Sequence, residues 1–522
     1  MVTKISLYYN TIKYMKITQI YYRLKKMLGL SCSLGCKVIT DYKNITPITT
    51  LQELDYDPVF LSRFSTVEFM QDKITLLHSS KNFAWDAEWN FNDKSALWNF
   101  NLHYCEYLFS ITKIYKDTND KSYLDKCVYI IDSWIKNNPK EKGGAGWASY
   151  TVALRLTNWL SWYSVIEKDL MNNFKNKFIK SVYEQYIYLS NNLEKDLLGN
   201  HYLEDLKALI LTSLFFNDEK MLSCALKEFK KECKEQILAD GMHFELSPMY
   251  HKIIFEDVLR VAYALKSVGK ADKEIEKYLQ PMLDVAWSLE EGLERIPLFN
   301  DCGNNVAKSL DALVKASDYG FGLKPQYKSC LKNSGYYIFK QDDFKLIVDA
   351  GQPGAAYIPG HVHCDAMSFE LFEAGKPIVV NCGTYAYQCN ERSFFRSTAA
   401  HNTVMINNIE QSQCWSAFRL AKRSQVDVLS VSDNGIVMKM TDQKGQVVTR
   451  SITLSDVLVV IDKSDGNKLS GCIHLLKDIP KNTSGNNQIK KHYYAYEYGR
   501  TDSIKSVCYS GINMVKLEIL VK

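Results

Sequence analysis

A chain of 522 residues, 46% hydrophobic and 24% charged, is too long for one ordinary core and has the balance of a soluble globular protein, so two or three domains are expected. Its net charge of +5 is small for that length, which gives no ground for nucleic-acid binding while tolerating an acidic polymer as ligand. No window approaches eighteen uninterrupted apolar residues, so no spanning helix is expected either.

Residues 1–80 combine a basic helix with polar connecting segments. Residues 11–28 read as a basic amphipathic helix that packs on the protein or makes peripheral contact with an acidic membrane surface. Lys13 and Lys16 interrupt any apolar run, and no small-residue cleavage site follows. No cleavable signal is therefore expected, which favours the cytoplasm or the inner face of a membrane. The 14 cysteines contain no CxxC pair, and Cys32 and Cys36 are the only close pair outside the histidine-rich region. Scattered cysteines of this kind read as small buried hydrophobes of a reducing compartment.

Residues 81–93 form an aromatic-rich loop. From Leu97 apolar residues recur every three or four positions through 97–116, 122–137, 150–167, 171–193, 201–217, 219–238, 251–269 and 274–292. Short polar joints such as KDTND and NDEK separate them, which predicts helical hairpins wound as an α/α toroid over residues 81–325. Residues 295–334 read as the connector. Beyond it the period becomes two, in YYIFKQDDFKLIVDAG, MSFELFEAGKPIVVNCGTY, HNTVMINN, VDVLSVSDNGIVMKMTD, VVTRSITLSDVLVVIDKSDG and MVKLEILVK. The fold class is α+β multidomain, with an antiparallel, sandwich-like sheet domain over 326–522 and the chemistry between the two parts.

Three histidines mark that place. His361 and His363 share a face if the segment is extended, and His401 precedes a neighbouring strand, so the three could converge on a proton-transfer or metal site. The helical part adds Trp98, Asn101 and His103, then Tyr150, Arg155 and Asn158, then Asn200 and His201, then Glu245 and Tyr250, all near helix ends. Taken singly, Asn200 is explained by helix capping and Tyr250 by an amphipathic face. Taken as a set they suit elimination beside a uronic acid. That reaction needs a neutralised carboxylate, a base for the adjacent carbon and an acid for the leaving oxygen. Hydrolysis needs two facing carboxylates, and Asp365, Glu245 and Glu370 offer no obvious pair.

Six motifs in order carry a resemblance: GNHYLEDLKAL, DGMHFELSPMYH, LFNDCGNN, PGHVHCDAMSFEL, GKPIVVNCGTY and FRSTAAHNTV. They resemble the heparinase II/III-like family of polysaccharide lyases, whose fold is a helical toroid followed by an antiparallel sheet. The resemblance implies a lyase acting on an acidic, uronate-containing polysaccharide, in digestion or in capsule and exopolysaccharide metabolism. It also implies that Asn200 and His201 neutralise the carboxylate, and that Tyr250 and His361 transfer protons. Trp98, Asn101, His103, Tyr150, Arg155, Asn158, Glu245 and Arg396 would bind substrate. His363, His401 and Asn381 would hold one structural zinc or other divalent ion, although Asn381 stands where the family has Asp and a neutral amide is the poorer ligand. Members are commonly periplasmic, the alternative location. A uronyl 5-epimerase would use the same proton chemistry, and a non-catalytic carbohydrate-binding protein of envelope polysaccharide assembly would keep only the groove.

Overall fold

The computed structural model describes every residue except 1, 43, 83, 87, 479, 480 and 522. The aromatic segment expected over 81–93 therefore includes two positions, 83 and 87, outside the described residues.

Helical periodicity becomes helices where each apolar stripe finds a core. In Lys121–Asn137 the stripe Leu124, Cys127, Ile130, Ile131 and Trp134 is buried. Asp120 starts that helix by accepting from the Ser122 N–H. The helices Ser149–Ile166, Asn172–Asn191, Gly199–Phe216, Glu219–Gln236, Pro248–Ser267 and Leu279–Glu290 follow in chain order. Gly199–Phe216 is buried on nearly all sides, packed by Ser149–Ile166, Glu219–Gln236 and Pro248–Ser267. Its Lys207 survives burial because Glu204 and Asp257 each lie 2.6 Å from the ammonium.

Three expectations need correction. The helix expected over 97–116 is two helices, Ala96–Tyr104 and Leu108–Thr118, broken where Cys105 turns left-handed (φ 61°). The connector 295–334 contains a helix, Leu310–Phe321, capped by Ser309 and ended by Gly322. The basic helix of 11–28 is Ile17–Met27, preceded by a second helix, Val2–Ile12. Cysteine pairing is a fourth. Cys36 is bonded to Cys224 and Cys472 to Cys508, so four of the cysteines are paired rather than simple buried hydrophobes.

The C-terminal part is antiparallel throughout its main sheet. Gln425–Ser432, Gly435–Thr441, Val447–Leu454 and Val457–Leu475 form a meander. The long strand Val457–Leu475 also pairs with Arg500–Leu520, whose other edge carries Asn486–Glu497. Through Lys376–Val379 and Phe369–Glu373 the sheet continues to Phe344–Asp349 and Tyr336–Gln341. The two parts are not loosely tethered. Met249 and Tyr250 of the helices share one apolar cluster with Val380, Tyr494 and Tyr498 of the sheet. The buried Arg295 guanidinium meets the Glu370 carboxylate with two contacts of 3.1 Å. The site between the parts is therefore held from both sides.

Candidate functional site

Two helix starts and one turn build the site. Ser247 caps Pro248–Ser267 by accepting from the Tyr250 N–H, while its own hydroxyl donates to the Asp301 carbonyl (2.6 Å). This places Tyr250 in the first helical turn, facing the sheet domain. Asn200 occupies the first turn of Gly199–Phe216, and its backbone N–H donates to Glu245 (3.2 Å). The expected strand carrying His361 and His363 is instead a 3₁₀ turn, Pro359–His361, and the two histidines part there.

His361 goes to the helical side. Its ring centroid lies 4.0 Å from that of Tyr250, and its Nδ1 is 3.1 Å from Glu245 Oε2, within ion-pair reach but poorly aligned for a hydrogen bond. Burial opposes ionisation of Glu245, but the facing His361 outweighs it and the carboxyl falls to about 2. The Tyr250 hydroxyl shares a hydrogen bond with that of Tyr387 (2.7 Å), which shares another with Tyr498 (2.8 Å). Burial, with the neighbouring phenols, pushes Tyr250 well above the ordinary phenol range, so it holds its proton at neutral pH. On the flank, His201 Nδ1 is 2.7 Å from Glu194 and its ring faces Tyr150 at 4.6 Å. Burial works against the imidazolium, but Glu194 prevails and raises the His201 pKa.

Gly199 is required by this geometry. Its φ is +59°, and a Cβ there would stand 2.4 Å from Ile358 Cδ1 and 2.8 Å from Glu245 Oε1. Gly199→Ala is expected to cost about 2 kcal/mol of stability. It should also lower turnover on any substrate by displacing Glu245. Urea midpoints and rates of the variant check both, and an unchanged midpoint would show that the turn relaxes freely.

The other expected residues separate into groups. His103 and Arg155 are fully buried within the helical part. His103 Nδ1 accepts from the Trp134 indole (2.9 Å), and Arg155 donates to Gln185 and to the Gly146 and His103 carbonyls while lying 3.9 Å over Trp134. Trp98 is buried too, its indole donating to the Ser79 carbonyl. These three have no surface for a substrate, contrary to expectation, because they are enclosed among rings and backbone carbonyls, His103 Nε2 being buried there without a partner. Asn101 and Asn158 are half-buried and donate to the Leu97 and Tyr104 carbonyls. Arg396 is buried as well, donating to the carbonyls of Val362, Ser416, Ala417 and Arg419. It fastens the turn that carries His361 rather than facing the cleft.

His363 goes to the sheet side. Its Nε2 meets Asp301 (2.9 Å), and its Nδ1 meets His401 Nε2 (3.2 Å). Arg392 grips the same Asp301 through both amino groups, one at 2.7 Å. The 3.2 Å gap between the imidazoles is near that of two ligands sharing one tetrahedral ion. A third ligand does not follow. Asp301 lies on the opposite nitrogen of His363 and is neutralised by Arg392. The Asn381 oxygen accepts from the Asn402 N–H (3.1 Å). Cys364 faces the Ser412 carbonyl and Cys414, and Cys382 packs with Phe395 and Ala400. The residues present do not fit a closed zinc site, and the cluster works as a hydrogen-bonded brace among the sheet-side loops. Sequence reasoning missed Asp301, Arg392, Tyr387 and Tyr498. Asp301 lay within the LFNDCGNN motif, and Tyr387 two residues past GTY, but nothing in the sequence paired them.

The comparisons agree with this architecture. The Heparinase II/III N-terminus family model matches residues 41–321, and the Heparinase II/III-like, C-terminal model matches residues 324–490. The chain is 24% identical over 367 residues to the heparin-sulfate lyase of Pedobacter heparinus, covering 63% of this chain and 54% of that one. It is 23% identical over 500 residues to the heparin-sulfate lyase of Bacteroides stercoris, covering 84% and 72%. The chain thus spans little more than half the length of the first of these relatives. The crystal structure of heparinase III superposes with a TM-score of 0.69 at 16% identity, covering 93% of this chain and 88% of that one, which shows the fold. With helical and sheet domains each matched over most of their length and in the same order, the chain belongs to the heparinase II/III-like family.

Proposed function

We propose that this chain is a polysaccharide lyase that cleaves a uronate-containing glycosaminoglycan by β-elimination. The observation that carries the proposal is the stacking of His361 against Tyr250 with Glu245 behind the imidazole. In this reading Asn200, in the first turn of its helix, receives the uronate carboxylate where the helix dipole favours an anion. That neutralisation makes the neighbouring C–H acidic. His361 takes the proton, and Glu245 faces the imidazolium that forms and balances its charge. Tyr250, held protonated, delivers its proton to the leaving glycosidic oxygen, and the chain through Tyr387 to Tyr498 steadies the phenol. His201 and Tyr150 flank the cleft as contacts for the polymer. The two relatives named as heparin-sulfate lyases support heparan sulfate as the first substrate to try.

Hydrolysis is less well supported. Glu370 is committed to Arg295 and to the N–H groups of Leu298 and Asn381, and Asp365 accepts from the Asn300 N–H. Both are buried and held by these partners, whereas hydrolysis needs two carboxylates free to face each other across a sugar and a water. The test is ultraviolet absorbance of the conjugated enoate over a panel of acidic polysaccharides. A rise with heparan sulfate is expected. Solvent deuterium entering the uronate without any rise would instead indicate a 5-epimerase.

A further inference from the structure

The first thirty residues are built inside out. In Ile17–Met27 the apolar positions 17, 20, 21, 24 and 27 follow helical spacing, and that stripe marks the face a core would normally take. It is exposed instead, with Ile17 85% and Met27 78% accessible. The polar side faces inward. Gln19 is buried and donates to the Leu197 and Tyr357 carbonyls, Lys16 pairs with Glu235, and Lys26 reaches Asp196 at 3.3 Å. Val2–Ile12 repeats the pattern. Ile5, Tyr8, Tyr9 and Ile12 are exposed at i, i+3, i+4 and i+7, while Asn10 is buried. Leu28 and Leu30 extend the patch. Residues 1–40 contain six Lys, one Arg and no Asp or Glu. Among the described residues no helix is long and apolar enough to cross a membrane.

We propose that these two helices lie on the surface of an anionic lipid bilayer, with the apolar stripes in the acyl boundary and Lys4, Lys13, Arg23 and Lys25 among the headgroups. Charge sign and apolar area select this occupant together. A polyanionic sugar would use the lysines but leave the Ile, Leu and Met side chains in water, and an apolar protein partner would offer no counter-charge to Lys4, Lys13, Arg23 and Lys25. The helices are tied to the rim of the cleft. The Trp415 indole donates to Thr11 (3.0 Å), Arg423 lies 3.9 Å over Tyr14, and Lys16 lies 4.0 Å over Tyr357, four residues before His361. A bilayer bound at this face would therefore set the cleft close to the membrane, where a polymer anchored at or leaving the surface would be met.

The test is co-sedimentation of the full chain with vesicles of phosphatidylcholine alone and of phosphatidylcholine mixed with phosphatidylglycerol. Binding to the mixed vesicles, weakened by salt, is expected. Ile17→Glu with Leu24→Glu should lower the bound fraction about tenfold, and Arg23→Glu with Lys25→Glu should remove the preference for anionic lipid. Ile17 and Leu24 are exposed while Arg23 and Lys25 are half-buried, so matching thermal melts are needed to confirm that both pairs fold. No binding to mixed vesicles overturns the proposal, as does equal binding by the Ile17/Leu24 variant. So does a concentration-dependent dimer that the same variant makes monomeric, which would assign the face to a second copy of the chain.

Discussion

Tyr250→Phe is expected to lower kcat on a cleavable glycosaminoglycan by about 10²- to 10⁴-fold, with little change in KM. The ring would keep its packing against His361 and its place in the cluster with Ile296, Leu298 and Val380. Only the hydroxyl, and with it the proton for the leaving oxygen, is removed. Tyr387→Phe separates this role from a purely structural one. It breaks the same hydrogen-bonded chain one step away but leaves the Tyr250 hydroxyl in the cleft, so a fall nearer tenfold is expected. Equal losses in both variants would mean that the phenol chain acts as a unit or merely holds shape. A Tyr250→Phe enzyme within a factor of two of the parent would remove Tyr250 from the mechanism and leave His361 to serve as both base and acid.

What the sequence made legible was periodicity. The apolar stripe of Lys121–Asn137 and the alternation of Val447–Leu454 announce a helix and a half-buried strand because burial imposes those periods. Where burial is irregular, the signal fails. Asn486–Glu497 is exposed on both faces over its first half, so its pairing with Arg500–Leu520 left no alternation to find. The break at Cys105 was invisible because a left-handed helix end is usually marked by Gly or Asn, and this one is not. The site shows the same limit. Asn200, Glu245, Tyr250 and His361 meet although their motifs are far apart in the chain. His103 and Arg155 were read as substrate contacts because a polar residue among apolar ones looks alike from the sequence whether it faces a cleft or a buried carbonyl. Partnership, which decides the matter, is a property of the fold.

That partnership has a consequence for pH. The fully buried His103 and His251 are both held neutral, desolvation being the main cause, and each pKa falls from 6.5 to about 3. Geometry agrees: His103 Nδ1 accepts from the Trp134 indole, and His251 Nδ1 accepts from the His243 N–H. Neither nitrogen takes a proton without losing that bond. In the unfolded chain both titrate near 6.5, so the unfolded state binds protons first as the pH falls. The stability these sites contribute is therefore complete above that value and is lost progressively toward the folded pKa. Each site should remove about 1.4 kcal/mol per pH unit once the pH is well below 6.5. The pair would then cost about 5 kcal/mol by two units below that point, a large part of an ordinary folding free energy. Urea unfolding followed between neutral pH and pH 4.5 should show a loss of stability to which the buried His243, His363 and His474 add and which Asp365, raised by burial to about 6, partly offsets, so the share of His103 is read from parent against variant. His103→Asn puts an amide oxygen where Nδ1 accepts and should remove about one proton's worth of the slope. An unchanged slope in the His103→Asn variant would mean that His103 takes up its proton in the folded chain, and that its surroundings open more readily than the packing around Trp134 implies.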